Sequence, residues 1–530
     1  MSRYFFIFFL LVLFFVFSSC QKPKKTDMRS LVRDDAITFI ESNDLSVSLN
    51  ALTKNKAFKE LPPENTDFSF LKNIQLAIVI TGFEASENQV TDENFVLNFK
   101  PNFVAIADTH TWKWQTISLV KNQINNYILE KFGTDTEFTQ FEKDGGRWFT
   151  WTAKDSRKAF VFVDGSIIFF SNNKDSIINC LLVKNGKAKS LKTNESLNNA
   201  YSIKSENNLA FGYVSANGIA QIANYVSIPV AIDATESEEG RSFITAILPQ
   251  ILQNTTKEIF WTATESENGI TDDFFIALNT ESINILKNTL STSTNTEGNI
   301  LQFVPPDVYS VTRYNLQNPF VAWRSLLFVT AQNTNNQNAK IFMQFSNGLL
   351  NSYAITDADT FLAAIDSNIL TLQFDAESEK SALIVTIKDI AKIKKSITDQ
   401  INFKFPAKVI GNTKIWQSED QQISAAFIEN QLILGDSESV YKCLEAKNSG
   451  LNFAQNSYYK KFSESKATAI TFAKDLHSTK NLTAVLASDY LEKKDVVNFY
   501  LIETFFTEKG IERKTISDFG LIGTILEKLK

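Results

Sequence analysis

Cysteine and histidine are scarce in this chain of 530 residues, which contains three Cys and two His. The cysteines are Cys20, Cys180 and Cys443, and the histidines are His110 and His477. Their spacing matches no Cys/His metal cluster, so we predict no metal site. Glycine-rich phosphate-binding loops, HExxH and CxxC are also missing, and nothing in the chain predicts a cofactor or a catalytic residue.

Glycine and proline are few, at 18 and 10 residues, whereas 44% of the residues are apolar. This composition excludes a disordered, collagen-like or mucin-like chain. The formal net charge of −6 is mild, so nucleic acid is not an expected partner. At roughly 100 to 200 residues per domain, the length allows about two to four domains.

The N-terminal residues have the pattern of an export signal. Arg3 precedes an unbroken apolar run from Phe5 to Phe17, and Ser18, Ser19 and Cys20 follow. A helix over this run spans only about 20 Å, less than the ~30 Å hydrocarbon core of a bilayer. We therefore predict a signal peptide over residues 1–19 and not a transmembrane helix.

The Ser19-Cys20 ending resembles the lipobox of bacterial lipoproteins, and the Phe-rich signal is similar to those of Bacteroidota lipoproteins. The resemblance implies cleavage before Cys20 and attachment of fatty acids, such as palmitate, to that cysteine. At ~0.8 kcal/mol per buried CH₂, two or three acyl chains would hold the protein on a membrane permanently. The alternative is an ordinary signal peptide followed by an incidental cysteine.

We then expect residues 20–30 to be the lipidated cysteine and a polar tether, which contains three lysines. The tether lacks the acidic run that directs some Bacteroidota lipoproteins to the cell surface. We therefore expect the body to face the periplasm, with the inner leaflet of the outer membrane favoured over the inner membrane.

The remainder of the chain contains an internal repeat. Trp151, the run 159–171 and Cys180 recur as Trp416, the run 425–435 and Cys443. The offset is 265 for the tryptophans, 265 from Phe162 to Phe427 within the runs, and 263 for the cysteines. Each copy predicts a β-hairpin followed by a helix. We place a type I′ turn at Asp164-Gly165 in the first copy, and at Glu429-Asn430, with a left-handed Asn430, in the second. The helices are expected to begin at the capping residues Asn173 and Ser437.

A second hairpin recurs around Gly269 and Gly510, at an offset of 241. Chance similarity between short Phe/Ile/Asn-rich strands is the alternative to duplication. The patterns predict an α+β fold of two related halves, each with a mostly antiparallel sheet, β-hairpins and packed helices. Half one covers residues 31–290, the linker 291–306 and half two 307–530. Helices are expected at Trp114–Phe132, Ala216–Tyr225, Ser242–Gln253 and Asp359–Ile369.

This layout resembles a family of uncharacterised exported bacterial proteins built from a duplicated α+β domain. The resemblance implies an envelope location, and it carries no active-site residues to this chain.

Several residues are candidates for functional sites. His110 lies two residues after Asp108, just after a predicted strand, but no nucleophile is spaced to join them, so we favour a surface or turn histidine. His477 receives the same interpretation. Asp357 and Asp359 precede a predicted helix, and capping is favoured over metal binding.

Cys180 and Cys443 occupy matching positions, and two buried free thiols are favoured over a disulfide between the halves. The pairs Trp112/Trp114 and Trp148/Trp151 fit either a sugar-binding surface or core packing.

We expect a membrane-tethered envelope lipoprotein with a non-enzymatic binding, scaffold or assembly role, whose partner is another envelope protein or a glycan. The alternative is a periplasmic hydrolase or polysaccharide-active enzyme that uses two carboxylates about 5 to 10 Å apart.

Overall fold

The computed structural model describes residues 25–54, 68–89, 95–203, 208–234, 238–267, 269–293, 298–346, 348, 350–376, 380–410, 413–475 and 498–527. The predicted signal peptide, Cys20 and His477 lie outside the described residues. The chain divides into two compact units. The first unit contains residues 1–48 and 68–203, and the second contains residues 49–67 and 204–530.

The first unit contains an antiparallel sheet. Its strands are β1 (Thr38–Ser42), β2 (Gln75–Gln89), β3 (Phe95–Asp108), β4 (Glu137–Lys143), β5 (Gly146–Thr152), β6 (Lys158–Asp164) and β7 (Ile167–Ser171). They pair in the order β4-β5-β6-β7-β3-β2-β1.

The helices up to residue 203 are α1 (Leu45–Thr53), α2 (Lys113–Leu119), α3 (Asn125–Phe132), α4 (Lys174–Lys184) and α5 (Glu195–Ile203). A π-helical turn, Val120–Ile124, joins α2 to α3. The stretch is therefore helical from Lys113 to Phe132, which confirms the helix predicted there.

Both faces of this sheet carry apolar side chains. Successive large residues of β5, β6 and β7 point to opposite faces, and the register of the strands places the residues of one face beside each other. On one face Phe149 and Trp151 pack with Val120 and Ile128 from the helical stretch. On the other face the rings of Trp148 and Phe162 lie 5.0 Å apart. Burial on both faces explains the apolar runs that the sequence shows in these strands.

The second unit contains a larger antiparallel sheet. Its strands are β8 (Asn208–Val214), β9 (Thr256–Ser266), β10 (Gly269–Leu278), β11 (Ser310–Asn315), β12 (Ile365–Gln373), β13 (Ser381–Ile387), β14 (Lys408–Ile410), β15 (Thr413–Gln417), β16 (Ile423–Ile428), β17 (Gln431–Asp436), β18 (Ala469–Asp475), β19 (Asn498–Thr507) and β20 (Gly510–Ser517). The order is β8-β9-β10-β20-β19-β18-β11-β12-β13-β17-β16-β15-β14.

Helices cover parts of this sheet and connect its strands. They are α6 (Ala216–Ala234), α7 (Glu238–Thr255), α8 (Thr280–Leu286), α9 (Pro319–Gln332), α10 (Asn336–Ser346), α11 (Ala358–Ala363), α12 (Ile390–Ser396), α13 (Ser437–Ser449), α14 (Tyr459–Glu464) and α15 (Gly520–Glu527). Within the described ranges, none of the helices combines the length and the apolar character needed to cross a bilayer.

The strand order repeats between the halves. The order β4-β5-β6-β7-β3-β2-β1 in the first unit corresponds, strand for strand, to the order β14-β15-β16-β17-β13-β12-β11 in the second. Within the second unit, β8-β9-β10 is matched by β18-β19-β20. The fold is therefore α+β with two related halves, as predicted. The compact units divide the chain near residue 203, before β8, whereas the repeat boundaries at 291–306 stay a prediction from the sequence.

The hairpin turns differ in detail from the prediction. Asp164 pairs with Ile167, so Gly165 and Ser166 are the central residues, and only Gly165 has positive φ, at 64°. In the second copy the positive φ belongs to Glu429, at 55°, and not to Asn430. Positive φ at the first central residue alone is the type II′ pattern, so the prediction of type I′ turns was wrong.

The same register corrects the repeat alignment. Aligning the turns at Gly165 and Glu429 gives an offset of 264, which places Val161 on Ala425. Val161 lies opposite Phe149, and Ala425 lies opposite Trp416. Trp416 therefore takes the position of Phe149 and not that of Trp151.

Two predicted helix boundaries are also corrected. The N-cap of α4 is Asn173, as predicted, but that of α13 is Asp436, whose carboxylate accepts the Ser439 N–H, and not Ser437. The helix expected to reach Ile369 ends at Ala363, and β12 begins two residues later.

Candidate functional site

A cleft of about 950 Å³ lies in the second unit. It is lined by residues 399–404, which connect α12 to β14, by residues 418–420 and by Lys394 of α12. The two walls are joined by a single β-bridge between Ile401 and Ser418. The cleft is open, and most of its lining residues are polar or charged, whereas Ile401 and Phe403 are apolar. No motif pointed to this site, because its walls come from loops that only the fold brings together.

Hydrogen bonds hold the 418–420 wall. Ser418 Oγ donates to Asp420 Oδ1 at 2.5 Å, and the Gln422 N–H donates to the same oxygen at 3.0 Å. Gln421 has a φ of 61°, so this turn uses left-handed backbone. These bonds stabilise the ionised carboxylate and hold the pKa of Asp420 below its usual value.

Three aromatic rings surround the Lys394 ammonium beside the cleft. Its Nζ lies 5.4 Å from the Phe403 ring centre, 5.3 Å from Trp416 and 5.5 Å from Phe427. The Trp416 and Phe427 rings meet edge to face at 86°, with centres 5.3 Å apart. Cation–π attraction of roughly 0.5 to 2 kcal/mol per ring favours this placement of the lysine. The rings thus orient a positive charge at the cleft.

Charges of both signs line the cleft. Lys394 and Lys404 line it together with Asp399, Glu419 and Asp420. A glycosidase acid needs a raised pKa to hold its proton at neutral pH, and the pKa of Asp420 is lowered.

Among the described residues, the carboxyl with a clearly raised pKa is Asp272, at about 6 because of burial. It accepts hydrogen bonds from Trp261 Nε1 and the Leu521 N–H, both at 2.8 Å, at the start of α15. Asp272 is 2% exposed and bonded to the fold, so it does not supply the hydrolase alternative with an accessible acid.

Asp108 and His110, weighed above as a possible site, meet in the first unit. His110 Nδ1 lies 3.5 Å from Asp108 Oδ1, and the other ring nitrogen lies 3.1 Å from Gln75 Oε1. His110 has a φ of 50°, which is typical of a turn, but its side chain is only 11% exposed, so it is not a surface histidine.

The same cluster fixes the first described part of the chain. It corrects the end of the predicted tether, residues 20–30, because Thr26 and the 3₁₀ turn Met28–Leu31 belong to the folded body. Thr26 Oγ1 donates to Asp108 Oδ2 at 2.5 Å, and the Thr26 N–H donates to Gln75 Oε1 at 2.8 Å. Gln75 Nε2 donates back to the Thr26 carbonyl at 3.2 Å. Burial raises the pKa of Asp108, but the hydrogen bonds from Thr26, His110 and Ser166 outweigh it and lower the pKa overall. We call these four residues, Thr26, Gln75, Asp108 and His110, the tether clamp.

The remaining candidates have structural roles. Asp357 caps α11 by accepting the Thr360 N–H at 3.0 Å, which confirms the capping interpretation, and Asp359 pairs with Arg324. Within the part of the chain that the structure describes, no three His, Cys, Asp or Glu residues are grouped to hold a metal ion.

The cysteines and tryptophans divide between core and surface. Cys180 and Cys443 are buried free thiols. Trp148 and Trp151 are core residues, at 1% and 0% exposed, whereas Trp112 and Trp114 are 75% and 68% exposed.

Comparison with known proteins gives little further information. No protein-family model matches the chain, and no curated protein matches its sequence. Crystal form I of TP0453 is similar over 45% of this chain and 99% of that chain, with 10% identity and a TM-score of 0.22. Crystal form III of TP0453 is similar over 44% of this chain and 99% of that chain, with 11% identity and a TM-score of 0.22.

Proposed function

We propose that this protein is an envelope lipoprotein, held on a membrane through Cys20, whose body binds another envelope component without catalysing a reaction. The open charged cleft beside the Lys394 ammonium is the observation that carries the binding role. Its lining presents cations and anions side by side, which suits a polypeptide segment with charges of both signs. A glycan would have to stack on rings that Lys394 already occupies.

The tether clamp supports the anchoring part of the proposal. Thr26 is bonded to Asp108 and Gln75, so the body begins six residues after Cys20. At ~3.6 Å per residue the linker reaches about 22 Å at most, which would keep the first unit close to the lipid.

Anchoring is tested by Cys20→Ala and membrane fractionation. The wild-type chain should be recovered with the membranes and the variant in the soluble fraction. A Cys20→Ala chain that stays bound to membranes after signal cleavage contradicts the anchor.

Binding at the cleft is tested by site-specific cross-linking in intact envelopes. A photoreactive amino acid replaces Asn402 in the cleft wall, and Leu451, which is 57% exposed and outside the lining, serves as the control position. We expect one protein adduct from position 402 that Lys394→Glu abolishes. Equal adducts from both positions, or none from position 402, argue against a binding cleft.

A further inference from the structure

The side chains of Trp112 and Trp114 are highly exposed to solvent, which is unusual for tryptophan. They are 75% and 68% exposed, whereas Trp148, Trp151, Trp261 and Trp416 are buried. Burial of apolar surface stabilises a protein by roughly 25 cal/mol per Å², and the exposed rings do not contribute this free energy. Tryptophan is enriched where one end of the ring meets apolar material and the other meets water, as at the surface of a bilayer.

A network of hydrogen bonds fixes the turn that presents them. The Thr109 hydroxyl lies 2.7 Å from that of Thr111 and 3.2 Å from that of Thr116, and it donates to the Ser166 carbonyl at 3.0 Å. The Trp112 N–H donates to Gln115 Oε1 at 3.1 Å, at the start of α2. The exposure of the two rings therefore follows from a bonded turn.

The tether clamp brings this turn close to the predicted lipid. Trp112 follows Asp108 by four residues, so their Cα atoms are at most about 14 Å apart. Asp108 accepts a hydrogen bond from the Thr26 hydroxyl, and Thr26 follows Cys20 by six residues. A lipid on Cys20 and the indole rings are thus within reach of the same patch of membrane.

The charges beside the rings suit an anionic surface. Lys113 lies between the two tryptophans in the sequence and is exposed, as is Lys25 beside the clamp. Arg147, at 2.5 Å, is the main cause that lowers the pKa of the Glu142 carboxyl, and the charge of Lys113 adds to it. Lysines near a membrane surface are attracted to anionic headgroups, and this attraction favours membrane binding.

We propose that Trp112 and Trp114 insert into the interfacial layer of the membrane that carries Cys20, with Lys113 against its anionic headgroups. The inference rests on the proposed lipid anchor and deepens it, because a second contact next to the tether gives the first unit one fixed orientation on the lipid. The occupant is the bilayer surface. A protein partner or a second copy of the chain is an outcome of the test.

The test uses the full-length chain, expressed and purified from the bacterial envelope, and reconstituted into vesicles of phosphatidylethanolamine and phosphatidylglycerol. A fraction of the lipids carries bromine on the acyl chains, which quenches nearby indole fluorescence. Mass spectrometry of the N-terminus and flotation of the vesicles are measured on the same sample. The variants are W112A/W114A and, as the matched control on another exposed aromatic residue, Phe405→Ala, at a site 80% exposed.

We expect quenching and a blue shift of the emission in the wild-type chain and in Phe405→Ala. W112A/W114A should lose most of the quenching while it still floats with the vesicles, and the buried Trp148 and Trp151 should stay unquenched in every variant. Unchanged near-ultraviolet circular dichroism shows that the double variant is folded.

Three results would overturn the inference, and they differ from one another. A lipidated chain that floats without indole quenching refutes the membrane contact and leaves the anchor intact. An N-terminus without a fatty acid refutes both the lipid anchor and the membrane contact that rests on it. Loss of protein cross-links in W112A/W114A, with no quenching in the wild type, assigns the two rings to a protein interface.

Discussion

Asp273 of β10 and Lys514 of β20 lie directly opposite each other, and each is the counterpart of the other in the internal repeat. The offset of 241 that relates Gly269 to Gly510 also relates Asp273 to Lys514. The pairing is symmetric about this point, because Ile270 pairs with Ser517 and Ile276 pairs with Ile511. The β10–β20 contact therefore has a pseudo-twofold axis through this residue pair, the arrangement expected when two copies of one hairpin meet edge to edge.

The opposite charges at this axis predict a measurable coupling. Asp273→Lys places two lysines opposite each other, and Lys514→Asp places two aspartates opposite each other. Because like charges repel, each change should lower the free energy of unfolding by up to about 1 kcal/mol. The combined exchange restores an opposite pair. Lys514 also faces Glu503 on β19, and a double-mutant cycle subtracts that neighbour. A coupling energy of zero in chemical denaturation would show that this exposed pair does not stabilise the contact between the two hairpins.

Gly269 and Gly510 are symmetric points of close backbone approach. A Cβ on Gly269 would meet the Ser517 carbonyl oxygen, and one on Gly510 would meet that of Ile276. Their φ angles are 124° and 153°. We expect Gly269→Ala and Gly510→Ala to lower the melting temperature by similar amounts, and by more than Gly145→Ala, which has a φ of 80° and open space around it. A control variant that is equally destabilised would mean that φ alone, and not the close approach, explains the loss.

Local sequence signals predicted the hairpins because turn residues and alternating apolar side chains act over a few positions. Asp164-Gly165 located the β6–β7 hairpin to within one residue. The turn type needs the actual φ angles, which Glu429 shows are not fixed by residue preference alone. The apolar stretch after Asp359 predicts a helix up to Ile369, but pairing of Ile369 with Tyr314 and Val385 in the sheet outweighs the local helix preference.

The candidate sites were less predictable, because they depend on contacts between distant positions. Lys394, Phe403 and Trp416 come from a helix, a loop and a strand. Thr26 and Asp108 are 82 residues apart, and no pattern in the sequence joins them. The exposure of Trp112 and Trp114 was also undecided, since the same spacing fits a core or a surface.

The two body cysteines should be unreactive in the folded protein. Burial raises the pKa of Cys180 to about 12, and burial together with the charge of Asp436 raises the pKa of Cys443. Few thiolates then exist at neutral pH, and the sulfur atoms are also inaccessible. In a Cys20→Ala background we expect slow reaction with an aromatic disulfide reagent, and two thiols per chain once denaturant is added without reductant. Fewer than two thiols would indicate a disulfide.

Asp272 should make the stability of the second unit depend on pH. Burial raises its folded-state pKa to about 6, above the ordinary value of 3.8. The folded state therefore binds more protons than the unfolded state between about pH 4 and 6, and stability falls as the pH rises through this window, by roughly 3 kcal/mol at most. In Asp272→Asn the side chain still accepts the Trp261 bond but not the Leu521 N–H, so the variant should be less stable at low pH and nearly free of this slope. Asp273→Asn, at the exposed neighbouring position, removes a minor charge that also raises the pKa of Asp272, so it should keep most of the wild-type slope. The slopes are read from denaturation in urea across this range, and equal slopes in wild type and Asp272→Asn would show that Asp272 does not take up a proton on folding.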